Sequence, residues 1–338
     1  MSLRQPATPE FAGSRKNKSF RQRKSKRKLE GEGRVNLTVM RNQRPRYPDS
    51  WSKTIKDDLF LRAWETRKAC FSSQVKMIYS QGTWPVSITG DTCQMDCAHC
   101  GGYYLRSMMP LERALGHKST PLSYLLSGGC NPDGKVPHHE QLEKVRALSR
   151  RAPLNLHPGL VNTREIQPLA ELVQVFSLDL VVDDTTVKEV YGSPWRAKDF
   201  MASYRALRLY SRVIPHLCIG LRGGIINGEH SALSFLQKEG AEAIIFLVLR
   251  PTPGARFASC NPPLPEEVAR VIARARVMFP RTPLYLGCMR PGGNYRARVD
   301  SLALAAGINR LVQPHPSALE AAKQLGLELL QGEECCAF

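Results

Sequence analysis

No apolar run in this 338-residue chain is long enough to span a bilayer, and its first residues lack the apolar core of a secretion signal. Membrane insertion and export are therefore not expected, and the chain reads as cytoplasmic. Without an oxidising compartment, its ten cysteines read as metal ligands or catalytic groups rather than disulfides. Acid is also scarce: 30 Asp and Glu stand against 48 Lys and Arg, a net charge of +18. The imbalance is concentrated in Arg15, Lys16, Lys18, Arg21, Arg23, Lys24, Lys26, Arg27 and Lys28, a run with no apolar period. Residues 1–48 thus read as a disordered basic arm. The arm lacks the interleaved aromatics that stack on bases, so a nucleic-acid tether ranks behind a solubilising extension. Its composition also fits an organelle transit peptide.

What is present is a sizeable apolar fraction, 42%, enough for one large core. Residues 49–80 form a helical lead-in, with Ile55, Leu59, Leu61, Trp64 and Ala69 near helical spacing. Short β-rich runs then alternate with helical stretches such as Glu140–Arg150 and Glu266–Phe279. The runs are Val86–Thr89, Ser123–Ser127, Leu154–His157, Val175–Val182, Val213–Leu221, Ala243–Leu249, Leu284–Gly287 and Ile308–Gln313. That alternation argues for a parallel sheet wrapped by helices. Eight units over residues 81–326 fit an α/β fold of the (β/α)8 TIM-barrel type, whose strand C-termini build the active face. An open doubly wound sheet remains an alternative. Residues 327–338 form a short cysteine-bearing tail.

The chain is organised around Gly90-Asp91-Thr92-Cys93-Gln94-Met95-Asp96-Cys97-Ala98-His99-Cys100, where three thiols follow a strand-like run at C-x3-C-x2-C spacing. Three thiolates from one loop can hold three irons of a [4Fe–4S] cluster. With no fourth cysteine close by, the fourth iron stays open for a small molecule. A zinc site would want a fourth local Cys or His. The pattern resembles the signature of the radical S-adenosylmethionine (SAM) superfamily, in which SAM chelates the open iron and is cleaved to a 5′-deoxyadenosyl radical.

Further motifs extend the resemblance. Ser127-Gly128-Gly129-Cys130 ends the second strand-like run and is similar to the glycine-pair motif that receives the amino group of SAM, with Cys130 where Glu is usual. Arg250-Pro251-Thr252-Pro253-Gly254 resembles the segment that lines the adenine side of SAM in biotin synthase and its relatives. Asp179 stands where relatives bind the ribose hydroxyls, with Asp183 and Asp184 as competitors. The resemblance therefore implies a SAM site at His99, Ser127, Gly128, Gly129, Asp179, Pro251, Pro253 and Gly254. Gly220 to Glu229 is a weaker, glycine-rich match, and Glu229 could simply cap the following helix. The nearest group is the biotin-synthase-like branch. Ser87-Ile88-Thr89-Gly90, His99 to Leu105 and Cys335-Cys336 further resemble one subunit of the archaeal-type two-protein lipoyl synthases.

That likeness implies sulfur insertion into an octanoyl chain on a carrier protein, a second radical SAM subunit, and an electron donor such as ferredoxin or flavodoxin. It also implies an auxiliary iron–sulfur cluster as sulfur source, for which Cys130, Cys288, Cys335 and Cys336 are the candidates. An extended tail from Leu327 reaches roughly 30 Å, enough to bring its thiols to the active face. Arg290 is open between orienting a carboxylate, ligating such a cluster and forming a plain salt bridge.

Overall fold

The computed structural model of the chain describes residues 57–192 and 194–338, so the basic arm of residues 1–48 lies outside the described residues. Eleven strands among them form one parallel sheet. They are β1 (Gln74–Ile78), β2 (Thr83–Ser87), β3 (Met109–Pro110), β4 (Ser123–Ser127), β5 (Leu154–Leu156) and β6 (Val175–Asp179). After these come β7 (Val213–Ile219), β8 (Ile244–Val248), β9 (Leu284–Leu286), β10 (Arg310–Val312) and β11 (Glu328–Gly332). Their order across the sheet is β11-β1-β10-β9-β8-β7-β6-β5-β4-β2-β3. The eight strands read from the sequence are β2 and β4 to β10, and the α/β barrel-type sheet is confirmed. The ladder itself is open, because β1 takes the free edge of β10, with Lys76 opposite Arg310, where β2 would otherwise close a ring. No helix among the described residues is long and apolar enough to cross a membrane.

Strands such as β8, Ile-Ile-Phe-Leu-Val, are nearly all apolar because both faces of a curled parallel sheet are covered. Alternate residues divide between two cores. Ile244, Phe246 and Val248 join the large core under the helices. Ile245 and Leu247 point the other way, into an inner core with Ile78, Val175, Ile214, Tyr285 and Val312. The helices start on ordinary caps. Asn162 and Glu165 make a reciprocal capping box for Thr163–Ala170, and Asp183 accepts from the Thr186 N–H at 2.8 Å.

Two segments depart from the sequence reading. The lead-in is helical over Asp58–Cys70 and then becomes strand β1. The tail is not simply extended: Glu328–Gly332 pairs with β1 as β11, and the last residues turn into the barrel. The Tyr79 N–H donates to the Gly332 carbonyl at 2.8 Å, and the Gly82 N–H to the Glu333 carbonyl at 3.0 Å. Lys76 pairs with Glu334, while Arg310 donates to the carbonyls of Cys336 and Phe338. Cys335, Cys336 and Ala337 end up buried in the inner core.

Three buried arginines tie the strands' ends to their helices. Arg276 bonds the carbonyls of Gly307, Phe279 and Thr282, and Arg67 those of Ser72 and Gln74. Arg290 is wholly buried with Asp300: Nε to Oδ1 is 2.6 Å and Nη2 to Oδ2 is 2.9 Å. It also donates to the Val312 carbonyl at 2.8 Å, joining β9 to β10. Of the three roles open to Arg290, the structure selects the salt bridge. Removing one partner of a buried pair strands the other charge and costs about 3–5 kcal/mol. Asp300→Asn should therefore lower the denaturant midpoint sharply, whereas Glu266→Gln, in the exposed pair with Arg298, should cost about 1 kcal/mol or less. Equal midpoints for the two variants would overturn this reading of Arg290.

Candidate active site

The cysteine loop, residues 90–100, lies at the C-terminal ends of the strands and is clasped from three directions. From the loop after β4, the Cys130 carbonyl accepts the Gln94 N–H at 3.0 Å. From the helix Asp184–Tyr191, the Val190 carbonyl accepts the Ala98 N–H at 2.7 Å. After β8, the Phe257 N–H donates to the Ala98 carbonyl at 2.8 Å, and the Arg256 guanidinium to the carbonyls of Asp96 and Val190. These bonds hold a segment without regular secondary structure in one shape.

The glycine pair explains how closely these parts approach. A Cβ on Gly129 would lie 2.0 Å from the Thr92 carbonyl oxygen and 2.6 Å from the Cys93 Cα, which no side chain survives. Its N–H donates to Thr89 Oγ1 at 2.7 Å. Gly128 is tighter against side chains than backbone, about as close as a Cβ could be accommodated, at 3.0 Å from Ile88 and Val136.

Two adjoining cavities open here. The smaller, of about 200 Å³, is lined by Cys93, Cys97, Cys100, Cys130, Gly128 and Gly129 among others. The larger, of about 600 Å³, runs through the barrel interior from Cys100 and Asp179 to Cys288, Cys335 and Cys336. Both are bordered by His99, Ser127, His157, Asp179 and Tyr191. A hydrogen bond from Cys97, with His99 adding to the effect, holds the Cys100 thiol below its ordinary value, in the direction a metal ligand needs. Burial pushes the Cys130 thiol up to about 12, and Cys93, Cys100 and Asp179 nearby push the same way. His99 Nδ1 is buried without a hydrogen-bond partner, an unmet polar atom beside the donors. Among the described residues, no group of three His, Cys, Asp or Glu side chains is already arranged to hold a metal ion. The donor chemistry of three thiols on one loop and the small cavity beside them fit an iron–sulfur cluster on Cys93, Cys97 and Cys100.

Most of the expected SAM residues gather at this cavity. Ser127, Gly128, Gly129, Asp179 and His99 line it. Pro251, Pro253 and Gly254 border neither cavity. Their loop instead backs the cysteine loop: the Gly254 carbonyl lies 3.8 Å from where a Gly101 Cβ would be, and Thr252 bonds Tyr104 at 2.6 Å. Asp183 caps its helix and Asp184 accepts from the Ala197 N–H at 2.7 Å, and of these three acids Asp179 is the one that lines the cavity. Glu229 accepts from the Gly220 and Asn227 N–H groups at 2.6 and 2.7 Å, bracing its loop. The four candidate auxiliary ligands divide: Cys130 stays with the triplet, while Cys288, Cys335 and Cys336 line the far end of the larger cavity.

Sequence reasoning missed His157, His216 and Asn155. The His157 and His216 rings lie 5.0 Å apart in the barrel interior. Burial pushes each imidazole down to about 4, so both are neutral. A lone histidine inside an apolar strand gives no signal beyond its own polarity.

The close fit at Gly129 makes a sharp test. Gly129→Ala should displace the cysteine loop and cut iron retained after anaerobic reconstitution to a small fraction of the parent's, whereas Gly116→Ala, with nothing within 4 Å, should retain it all. Full iron in Gly129→Ala would refute the close-packing account.

No family model matches the chain. Over 131 residues, 37% of its length, it is 26% identical to the biotin synthase of Ruthia magnifica subsp. Calyptogena magnifica, and the match spans 40% of that relative. Among solved structures, it resembles the FeFe-hydrogenase maturase HydG from Carboxydothermus hydrogenoformans with a TM-score of 0.59 at 15% identity, over 80% of this chain and 71% of that one. It resembles methylornithine synthase (PylB) with a TM-score of 0.57 at 14% identity, over 82% and 90% respectively. At such identities the structural likeness is one of fold. The partial sequence match is to a biotin synthase, and the likeness to the two solved structures is that of a curled parallel α/β sheet.

Proposed function

We propose that this chain is a radical SAM enzyme that inserts sulfur into an unactivated C–H bond of an aliphatic acyl chain, with an octanoyl group on a carrier-protein lysine as substrate. The observation that carries the reading is the continuous cavity from Cys100 and Asp179 to the thiols of Cys288, Cys335 and Cys336. Between those ends its walls are largely aliphatic, including Leu180, Val182, Leu217, Leu247 and Leu249. A saturated chain suits such walls, and they keep water and polar hydrogen donors from a carbon radical.

When bound, a [4Fe–4S] cluster on Cys93, Cys97 and Cys100 supplies the electron that cleaves SAM to a 5′-deoxyadenosyl radical. The residues of the chain do the positioning. Asp179, at the end of β6, offers two carboxylate oxygens to a ribose diol. The backbone of Ser127 to Gly129 lies open to an amino group because its glycines carry no Cβ. Holding the acyl carbon against the radical is then a matter of proximity. The sulfur source in this reading is an auxiliary cluster at the far end of the cavity, where Cys288, Cys335 and Cys336 supply thiols. The second subunit, the carrier protein and a ferredoxin or flavodoxin donor belong to the same proposal.

Two measurements test it in order. With dithionite and SAM, the reconstituted chain should release 5′-deoxyadenosine, and the Cys93/Cys97/Cys100→Ala variant should release none. An octanoyl-lysine peptide should then gain sulfur by mass. Deoxyadenosine without any sulfur product would leave the radical chemistry and reject the sulfur insertion; deoxyadenosine from the triple variant would reject both.

A further inference from the structure

The larger cavity has arginines in its lining, Arg222 and Arg250, and they differ in how they are engaged. Arg222 Nε pairs with Glu189 Oε2 at 2.8 Å. Nearby Arg296 donates to the carbonyls of Cys288, Arg290 and Gln313 at 3.2, 2.9 and 3.3 Å. Arg250, just past the C-terminal end of β8, is exposed, and among the described residues its guanidinium makes no hydrogen bond or ion pair. Its backbone, by contrast, is fixed. The buried Thr252 hydroxyl donates to the Arg250 carbonyl at 2.9 Å. The Tyr104 hydroxyl, on the border of both cavities, lies 2.6 Å from Thr252 Oγ1 and completes the brace. The unpaired charge is felt there: burial pushes the Tyr104 hydroxyl up, while the Thr252 bond and Arg250 pull it back. Burial and Arg290 hold the Arg296 guanidinium below its ordinary value, and Arg250 pushes the same way. The residues just before this cation in the chain, Leu247 and Leu249, line the same cavity together with Leu217.

We propose that Arg250 is a binding site for a carboxylate carried by the acyl substrate, so that the cavity takes an amphiphile with its anionic end at Arg250 and its saturated chain along Leu247, Leu249 and Leu217. The acyl part rests on the function proposed above; the carboxylate is a separate claim. A guanidinium offers a fork of donors that matches the two oxygens of a carboxylate. At an exposed position the pair keeps much of its water, while the chain leaves water for aliphatic walls. A neutral polar group would leave the charge of Arg250 unanswered. A phosphate, with up to two charges, would draw on a second cation, yet Arg222 and Arg296 already have partners. The carboxylate has two possible sources: the head of a free fatty acid, or an acidic side chain beside the acylated lysine of a carrier. Both present the same group to the same guanidinium.

The test is calorimetric titration of the full chain, reconstituted anaerobically, with octanoate, octanamide and octanoyl-lysine peptides bearing Asp or Asn beside the lysine. The carboxylate member of one pair should bind roughly tenfold more tightly than its neutral counterpart, the size of one charge-assisted hydrogen bond. Added salt should shrink that margin. Arg250→Gln should abolish it without weakening the neutral probes, and Arg250→Lys should keep most of it. Arg146→Gln, away from the cavity, should change nothing. A preference for the Asp peptide that vanishes in Arg250→Gln assigns the carboxylate to the carrier. An octanoate preference that vanishes there, with the two peptides equal, assigns it to a free acid. If the parent shows neither preference, or Arg250→Gln leaves them as they were, the carboxylate site is overturned and the aliphatic cavity stands. A fall in SAM affinity alone in Arg250→Gln would move this residue to the cofactor and overturn the site as well. Failure of the parent to bind any of the four probes would overturn the acyl reading together with it. These are affinities, so none of the outcomes depends on whether sulfur is transferred.

Discussion

At the mouth of the barrel, the backbone of Gly129 presses against the backbone of Thr92 and Cys93 more closely than any side chain would permit. That approach brings two loops from different strands into one wall, and much else depends on it. The Cys130 carbonyl reaches the Gln94 N–H only from there. The loop after β8 and the end of the helix Asp184–Tyr191 then complete the clasp with backbone bonds of their own. The thiols are thus carried on irregular backbone that neighbouring loops hold through the Gln94 and Ala98 N–H groups and the Asp96 and Ala98 carbonyls. Such a construction is costly in conformational entropy, and it yields a rigid platform for ligands that must share one centre.

Much of this was legible in the chain. The eight strands stand out because apolar runs of five or so residues recur between amphipathic helices, and a parallel sheet covered on both faces needs such runs. The cysteine spacing and the paired glycines mark the upper site because their chemistry leaves few alternatives. Asp179 could be placed at the cavity but not separated from Asp183 and Asp184, and it took the cap on Thr186 to distinguish them.

What stayed hidden depends on contacts far apart in sequence. Gln74–Ile78 reads as the end of a helix, yet it becomes a strand because β10 and Glu328–Gly332 offer it backbone partners on both sides. Arg290 could have met a ligand or an acid, and only the fold brings Asp300 to it. His216 sits among Val213, Ile214, Leu217 and Ile219 and looks like one more strand residue. Its neighbour Cys336 lies 120 positions away. Burial at the barrel's centre is a property of the curled sheet, so no local pattern could reveal it.

The placement of β11 and the residues after it has a consequence for how the molecule comes into being. During synthesis the cysteine loop emerges early, while the segment that lines the bottom of the interior emerges only after every strand it packs against. Until then β1 has a bare edge and the inner faces of β6 to β9 have nothing beneath them. Contacts of such long sequence separation form slowly and leave apolar surface uncovered in the meantime. Until residues 328–338 emerge, the nascent barrel therefore stays unfilled beneath β6 to β9.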